Sequence, residues 1–180
     1  MSKKIYSLLI TSILLVSTLS ANVGLSGGFY VNDKLSSFDT DGIGLDLSVD
    51  YNQKLSQNVD ISYGLSYGSQ KIKGISGIFH YFVLKINGEY NINSQFYTFA
   101  GLNLPYALAE LRTITGTVLT KYTGEIGFQL GAGYNINEKL AIELGYKVIN
   151  AKAKSTKSTF IESGSTEIAE AITLNTKYTF

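Results

Sequence analysis

Apolar and polar residues alternate along most of the chain from residue 22 onward, and this period of two restricts the fold more than any other feature. In 42–52, for example, every second residue is apolar. Successive side chains of a strand point to opposite faces, so the pattern predicts strands with one apolar face. We predict about eight strands: 23–31, 42–52, 59–68, 82–90, 96–108, 122–136, 140–148 and 168–180.

The links between these strands alternate in length. We predict short turns at 52–58, 91–95 and 135–139, and longer loops at 32–41, 69–77, 110–121 and 151–167. The dipeptide Tyr-Asn ends the strand before each short turn, at residues 51, 90 and 134, which indicates repeated hairpins. Short turns at one end and longer loops at the other are typical of outer-membrane barrels.

The first 21 residues have the pattern of a secretory signal peptide. Lys3 and Lys4 precede an apolar stretch at 8–16, and small residues at 17–21 suit cleavage near Ala21. The apolar stretch is shorter than the roughly 20 residues that a spanning helix needs. We therefore predict a cleaved signal peptide at 1–21 and one barrel domain at 22–180.

The composition excludes several functional classes. The chain has no Cys and one His, which excludes disulfides and thiolate metal sites and makes His-based catalysis unexpected. Its net charge of +1 gives no basis for binding nucleic acid. Only 16% of its residues are charged, against roughly 25% in soluble domains. We expect no metal, no cofactor and no nucleic-acid partner.

The bulk of the apolar face indicates which side is outward. The interior of an eight-stranded barrel is only just wide enough for side chains to fill, so Leu, Ile, Tyr and Phe on nearly every strand would overpack it. We therefore predict an apolar exterior facing lipid and a lumen of small and polar residues, plugged by Tyr81, Tyr97, Phe99 and charged side chains. The predicted lumen charges are Asp46, Asp50, Asp60, Lys85, Glu89, Glu125, Glu143, Lys147 and Lys177.

Aromatic residues gather at both ends of the predicted apolar faces. Such rings suit the two headgroup layers of a bilayer, where an aromatic side chain is apolar on one side and wet on the other. The predicted girdle contains Tyr51, Tyr90, Tyr134 and Tyr178 at the turn end, and Phe29, Tyr67, Phe82, Tyr106, Tyr122 and Tyr146 at the loop end.

The last strand ends in Tyr178-Thr179-Phe180, with Ile172 and Leu174 in phase. With this ending, the chain resembles the small OmpA/OmpX-like, porin-like outer-membrane barrels of the Gram-negative cell envelope. The resemblance implies a closed up-and-down antiparallel transmembrane β-barrel, an all-β fold in the bacterial outer membrane. It also implies that Tyr178 and Phe180 are the signal read by the outer-membrane assembly machinery.

For function, we predict a monomeric barrel with a structural or surface-interaction role and a plugged lumen. One alternative is a narrow porin-like channel for small solutes or ions, and another is a surface adhesin that acts through the extracellular loops. Lipid and lipopolysaccharide are the expected partners, since Lys121, Lys152, Lys154 and Lys157 could attract lipopolysaccharide phosphates. We predict no enzymatic activity, because His80 lacks the closely following Ser of lipid A deacylases.

Overall fold

The computed structural model describes residues 22–35, 38–73, 76–113, 116–155 and 166–180, so the predicted signal peptide lies outside the described residues. Each strand pairs antiparallel with the next, and β8 pairs with β1 to close a barrel, as predicted. The eight strands are β1 (Val23–Leu35), β2 (Phe38–Lys54), β3 (Val59–Ile72), β4 (Gly77–Asn91), β5 (Phe96–Thr113), β6 (Gly116–Asn135), β7 (Leu140–Ser155) and β8 (Thr166–Thr179).

Membrane-spanning helices are not found in the described part of the chain: none of its segments is a helix of the required length and apolarity.

The strands extend well beyond the predicted ones at the loop end. β5 and β6 contain 18 and 20 residues, although about 9–11 tilted residues cross a bilayer. Three predicted loops, 32–41, 69–77 and 110–121, are therefore mostly strand, and the prediction of long loops there was wrong. Alternation reports a contrast in burial between two faces. That contrast fades where the exterior meets water, while the backbone hydrogen bonds continue.

The two faces have the predicted orientation over most of the barrel. Leu84 and Leu144 on the exterior are 60% and 58% exposed, whereas Asp46 and Asp50 in the lumen are 3% and 4% exposed. The large apolar side chains thus cover the outside of the barrel, and the small and polar ones fill it.

A bulge in β6 breaks this alternation. The pairing of β5 with β6 shifts between Asn103 and Tyr106, where Pro105 supplies no backbone N–H, and the pairing of β6 with β7 shifts between Glu125 and Phe128. Because one extra residue reverses the faces on one side of a bulge, residues before it are out of phase with residues after it.

Two predicted placements are wrong for this reason. Tyr122, predicted in the exterior girdle, is 1% exposed and packs inside the barrel. Glu125, predicted in the lumen, is exposed on the exterior beside Ile126. Two asparagine side chains bind carbonyls near the irregular pairing: Asn103 Nδ2 donates to Val148 O and Asn150 Nδ2 donates to Ile126 O, each at 3.0 Å.

Candidate functional site

The turn-side half of the lumen contains paired charges. Lys147 Nζ lies 2.9 Å from Asp46 Oδ2, and Lys85 Nζ lies 3.0 Å from Asp50 Oδ1. All four side chains are almost completely removed from water, so each charge needs its partner to offset the cost of desolvation. Lys147 is 101 residues from Asp46 in sequence, and only the closed barrel brings them together.

A third lysine, Lys177, forms ion pairs with two carboxylates. Lys177 Nζ lies 3.3 Å from Glu89 Oε1 and 3.5 Å from Glu143 Oε1. Tyr97 donates its hydroxyl to Glu143 Oε1 at 2.6 Å, and the Lys177 ammonium lies 5.8 Å from the centre of the Tyr97 ring. Tyr97 therefore supplies part of the stabilisation that a single lysine cannot give to two glutamates.

The remaining predicted lumen charge, Asp60, accepts a hydrogen bond from Asn91 Nδ2 at 2.8 Å. Neutral side chains continue the network, since Gln129 donates to Asn87, which donates to Ser62. The structure thus gathers eight of the nine predicted lumen charges inside one barrel, with Glu125 outside it.

The free space among these side chains is small. One cavity of about 30 Å³ is lined by charged and polar residues including Asp46, Lys85, Gln129 and Lys177. A water molecule needs at least roughly 10–15 Å³ of such volume, so the cavity has room for one or two waters.

An apolar layer fills the loop-side half of the lumen, and sequence reasoning missed most of it. Tyr81 packs against Tyr30 and Phe79 with ring centres 5.5 and 6.3 Å apart, and Phe79 packs against Tyr122 at 5.8 Å. Of this layer, Tyr81 alone was among the residues predicted to plug the lumen. The other buried members are Ile72, Val83, Ala107, Ile149, Ala151, Ala153, Ala169 and Ala171.

Glycines on neighbouring strands make room for these large side chains. Tyr81 lies directly opposite Gly68, and a Cβ on that glycine would collide with the tyrosine ring. The same arrangement places Tyr30 over Gly44 and Tyr97 over Gly133. The many lumen glycines are thus the counterpart of a filled interior.

The aromatic girdle is present on the exterior except for Tyr122. The outward positions are Tyr51, Tyr90, Tyr134 and Tyr178 at the turn end, and Phe29, Tyr67, Phe82, Tyr106 and Tyr146 at the loop end. At the loop end the hydroxyl of Tyr146 donates to Glu170 Oε2 at 2.9 Å. Large apolar side chains are exposed on all eight strands, and the exterior carboxylates Glu125 and Glu170 lie toward the loop end.

The closing strand places its predicted assembly signal on the same exterior. The rings of Tyr178 and Phe180 lie edge to face with centres 5.1 Å apart, and both are partly exposed. Phe180 N donates to Val23 O at 3.0 Å, which joins the last residue to the first strand.

His80 lies on the exterior, where its Nδ1 and the hydroxyl of Tyr67 are 2.8 Å apart. The two rings are stacked at 6.0 Å, so the histidine is part of the loop-end aromatic surface. Within the described ranges, no group of three or more His, Asp or Glu side chains is arranged to hold a metal ion.

Two of the lysines predicted to contact lipopolysaccharide are described in full. Lys121 on β6 and Lys152 on β7 are both exposed near the loop end, and Lys152 is paired with Thr123, two residues from Lys121. The side chain of Lys154 and the whole of Lys157 lie outside the described residues.

Comparison with known proteins gives matches among solved structures alone. No protein-family model matches the chain, and no curated protein matches it. Neisserial surface protein A is 11% identical, with a TM-score of 0.67 over 89% of this chain and 98% of that one. Ail of Yersinia pestis is 14% identical, with a TM-score of 0.62 over 90% of this chain and 100% of that one. The N-terminal β-barrel domain of OprF from Pseudomonas aeruginosa is 12% identical, with a TM-score of 0.61 over 89% of this chain and 98% of that one. The chain therefore has the fold of the small eight-stranded outer-membrane barrels of the OmpA/OmpX-like type.

Proposed function

We propose that this protein is a bacterial outer-membrane β-barrel with a structural or surface-interaction role, no catalytic activity and a lumen closed to solutes. The apolar exterior between two aromatic rings supports a position in a membrane, since a charged residue at the centre of such a band would cost about 2–4 kcal/mol. The fold shared with neisserial surface protein A, Ail and OprF supports the outer membrane as its location.

The proposal of a closed lumen is supported by two different layers of side chains, one charged and one apolar, that follow one another along the barrel axis. An ion entering from the turn side meets paired lysines and carboxylates around a cavity of about 30 Å³. Beyond them it meets an apolar layer built around Tyr30, Phe79, Tyr81 and Tyr122, whose rings contact one another. An unpaired ion has a high desolvation cost in such an apolar layer, so we infer that the barrel does not conduct.

Planar-bilayer recordings test this inference against the narrow-channel alternative. We expect no steady conductance from the wild-type chain. We expect ion conductance to appear in the variant Phe79→Ala/Tyr81→Ala, which shortens the apolar layer, and not in the matched exterior variant Leu84→Ala. Steady conductance of the wild type would establish the channel and overturn the closed lumen.

Contact with lipopolysaccharide is a second proposal, favoured by the exposed lysines of β6 and β7. Lys121 and Lys152 bring two positive charges together diagonally across adjacent strands, where a group of high negative charge density can contact both. The phosphates of lipopolysaccharide, at the loop end of the barrel, supply that negative charge. Lys154 and Lys157 would extend the same basic surface.

Binding of purified lipopolysaccharide to the barrel in detergent tests this proposal. The variant Lys121→Gln/Lys152→Gln should bind several-fold more weakly, and the difference should shrink at high salt because the attraction is electrostatic. The matched control Lys54→Gln/Lys139→Gln removes two exposed lysines from the turn end and should leave binding unchanged. Equal affinity of the two double variants would refute the proposal. The adhesin alternative depends on loops that include 156–165, outside the described residues, and stays a prediction.

A further inference from the structure

Each of the three short turns begins with an exposed aliphatic residue. Leu55, Ile92 and Ile136 are 59%, 57% and 50% exposed. In every turn the backbone N–H of this residue donates to the carbonyl of the first residue of the next strand, at 2.8–2.9 Å. That bond uses the backbone alone, so the turn itself does not require an aliphatic side chain. We call these three residues the turn ring.

Hydrogen bonds hold the backbone of the turns in place. Asn93 Oδ1 accepts two backbone N–H groups within its own turn, and Asn137 Oδ1 does the same in the third turn. The carbonyl of the last residue of each turn also accepts an N–H from the neighbouring strand, at 2.7–2.8 Å. The residues of the turn ring are therefore part of a rim whose backbone is hydrogen-bonded to the neighbouring strands.

The turn ring follows the lipid-facing surface in sequence. Ile92 and Ile136 each come two residues after a girdle tyrosine, Tyr90 and Tyr134, and all four side chains are exposed. Two residues of a strand tilted by about 40° extend this surface by about 5 Å along the barrel axis. Ile92 and Ile136 thus lie just beyond the aromatic residues that we place in the headgroup layer, and Leu55, four residues after Tyr51, lies further along the same rim.

The spacing of the three residues around the barrel indicates what covers them. They lie in the β2–β3, β4–β5 and β6–β7 turns, so two strands separate Leu55 from Ile92 and Ile92 from Ile136, and four strands lie between Ile136 and Leu55 in the closed barrel. A protein partner binds a contiguous apolar patch, whereas a membrane surrounds the whole circumference. The three side chains of the turn ring are at least two strands apart and form no such contiguous patch.

We propose that Leu55, Ile92 and Ile136 insert into the headgroup region of the leaflet on the turn side and fix the depth of the barrel in the membrane. The partner is a lipid surface. The inference rests on the proposed membrane location and adds a site to it. Interfacial anchors of this kind set the position and tilt of spanning segments.

The absence of Trp from the chain allows a direct test. Leu55→Trp, Ile92→Trp and Ile136→Trp are made singly, with Ser94→Trp and Glu138→Trp as controls at exposed positions of the same turns. The chains are inserted into phosphatidylcholine vesicles whose acyl chains carry bromine near the carbonyl. We expect the turn-ring tryptophans to be quenched several-fold more strongly by the brominated lipid than the controls, and less by iodide in the water.

A further variant separates the two proposals. Leu144→Trp places a probe in the middle of the lipid-facing band, where a second lipid with bromine near the ends of its acyl chains should quench it if the barrel is inserted. Quenching of Leu144→Trp with turn-ring tryptophans that behave like Ser94→Trp would overturn the anchor alone. Absence of quenching at Leu144→Trp in all vesicles would overturn the membrane location as well.

Discussion

The most specific consequence of the filled lumen concerns Gly68. A methyl group at this position would be placed against the ring and hydroxyl of Tyr81, which lies directly opposite on β4. Tyr81 is 2% exposed and is held between Tyr30 and Phe79, so it has no open space to move into. Gly68→Ala should therefore strain the core of the apolar layer.

The expected loss of stability follows from the general free-energy cost of overpacking a filled core. Such insertions lower the free energy of unfolding by about 1–3 kcal/mol. With a urea dependence of about 1–3 kcal/mol per M, the unfolding midpoint should fall by about 1 M. Urea unfolding in lipid vesicles, followed by circular dichroism and by gel mobility of unheated samples, measures the shift.

Gly88 provides the matched control on the other face of the barrel. A Cβ there has no neighbour closer than Ala100 O at 4.0 Å, and it would face lipid. Gly88→Ala should leave the midpoint unchanged or raise stability by up to about 0.8 kcal/mol, the value of one buried methylene. In a Tyr81→Leu background, Gly68→Ala should lose most of its effect. Equal midpoints for Gly68→Ala and Gly88→Ala would refute the argument for a filled lumen.

Three further outcomes are expected. Lys147→Met should lower the free energy of unfolding in urea by about 3–5 kcal/mol, because it leaves the buried Asp46 carboxylate without its ammonium partner. Adding Asp46→Asn should recover part of this loss. Full stability of the single variant would contradict the pairing. Asn150→Ala should cost about 1 kcal/mol, since the Ile126 carbonyl loses a donor, and an unchanged midpoint would show that this bond contributes nothing. Mass spectrometry of lipid A incubated with the barrel should show no change, whereas trimming that is lost in His80→Ala would establish an enzyme.

The sequence was sufficient to predict the architecture because one physical contrast repeats in every strand. Leu84 and Leu144 on the exterior and Asp46 and Asp50 in the lumen follow the same period of two, and this period distinguished the faces. The pairing of Lys147 with Asp46 was beyond sequence reasoning. It depends on the register of every intervening strand as well as on closure of the barrel.

The two misplaced residues show where alternation stops being informative. Tyr122 and Glu125 precede a bulge that reverses the phase of β6, so counting back from Phe128 assigned each to the wrong face. A signal was available, since Pro105 within β5 and Gly124 and Gly127 within β6 are residues that mark strand irregularities. The apolar layer was missed for a different reason: residues such as Ala107 and Ala151 are apolar on the inner face, which removes the contrast between faces.

The measurement that tests the central claim most directly is the accessibility of the exterior band. Because the chain has no Cys, single cysteines at Leu45, Leu84 and Leu144 can each carry one spin label, with a label at Ser56 in a turn as the reference. In vesicles, an outer-membrane barrel predicts strong relaxation of the three band labels by oxygen and weak relaxation by a water-soluble nickel complex. If the nickel complex reached the band labels as freely as the label at Ser56, the apolar face would not be in lipid and the account would be contradicted.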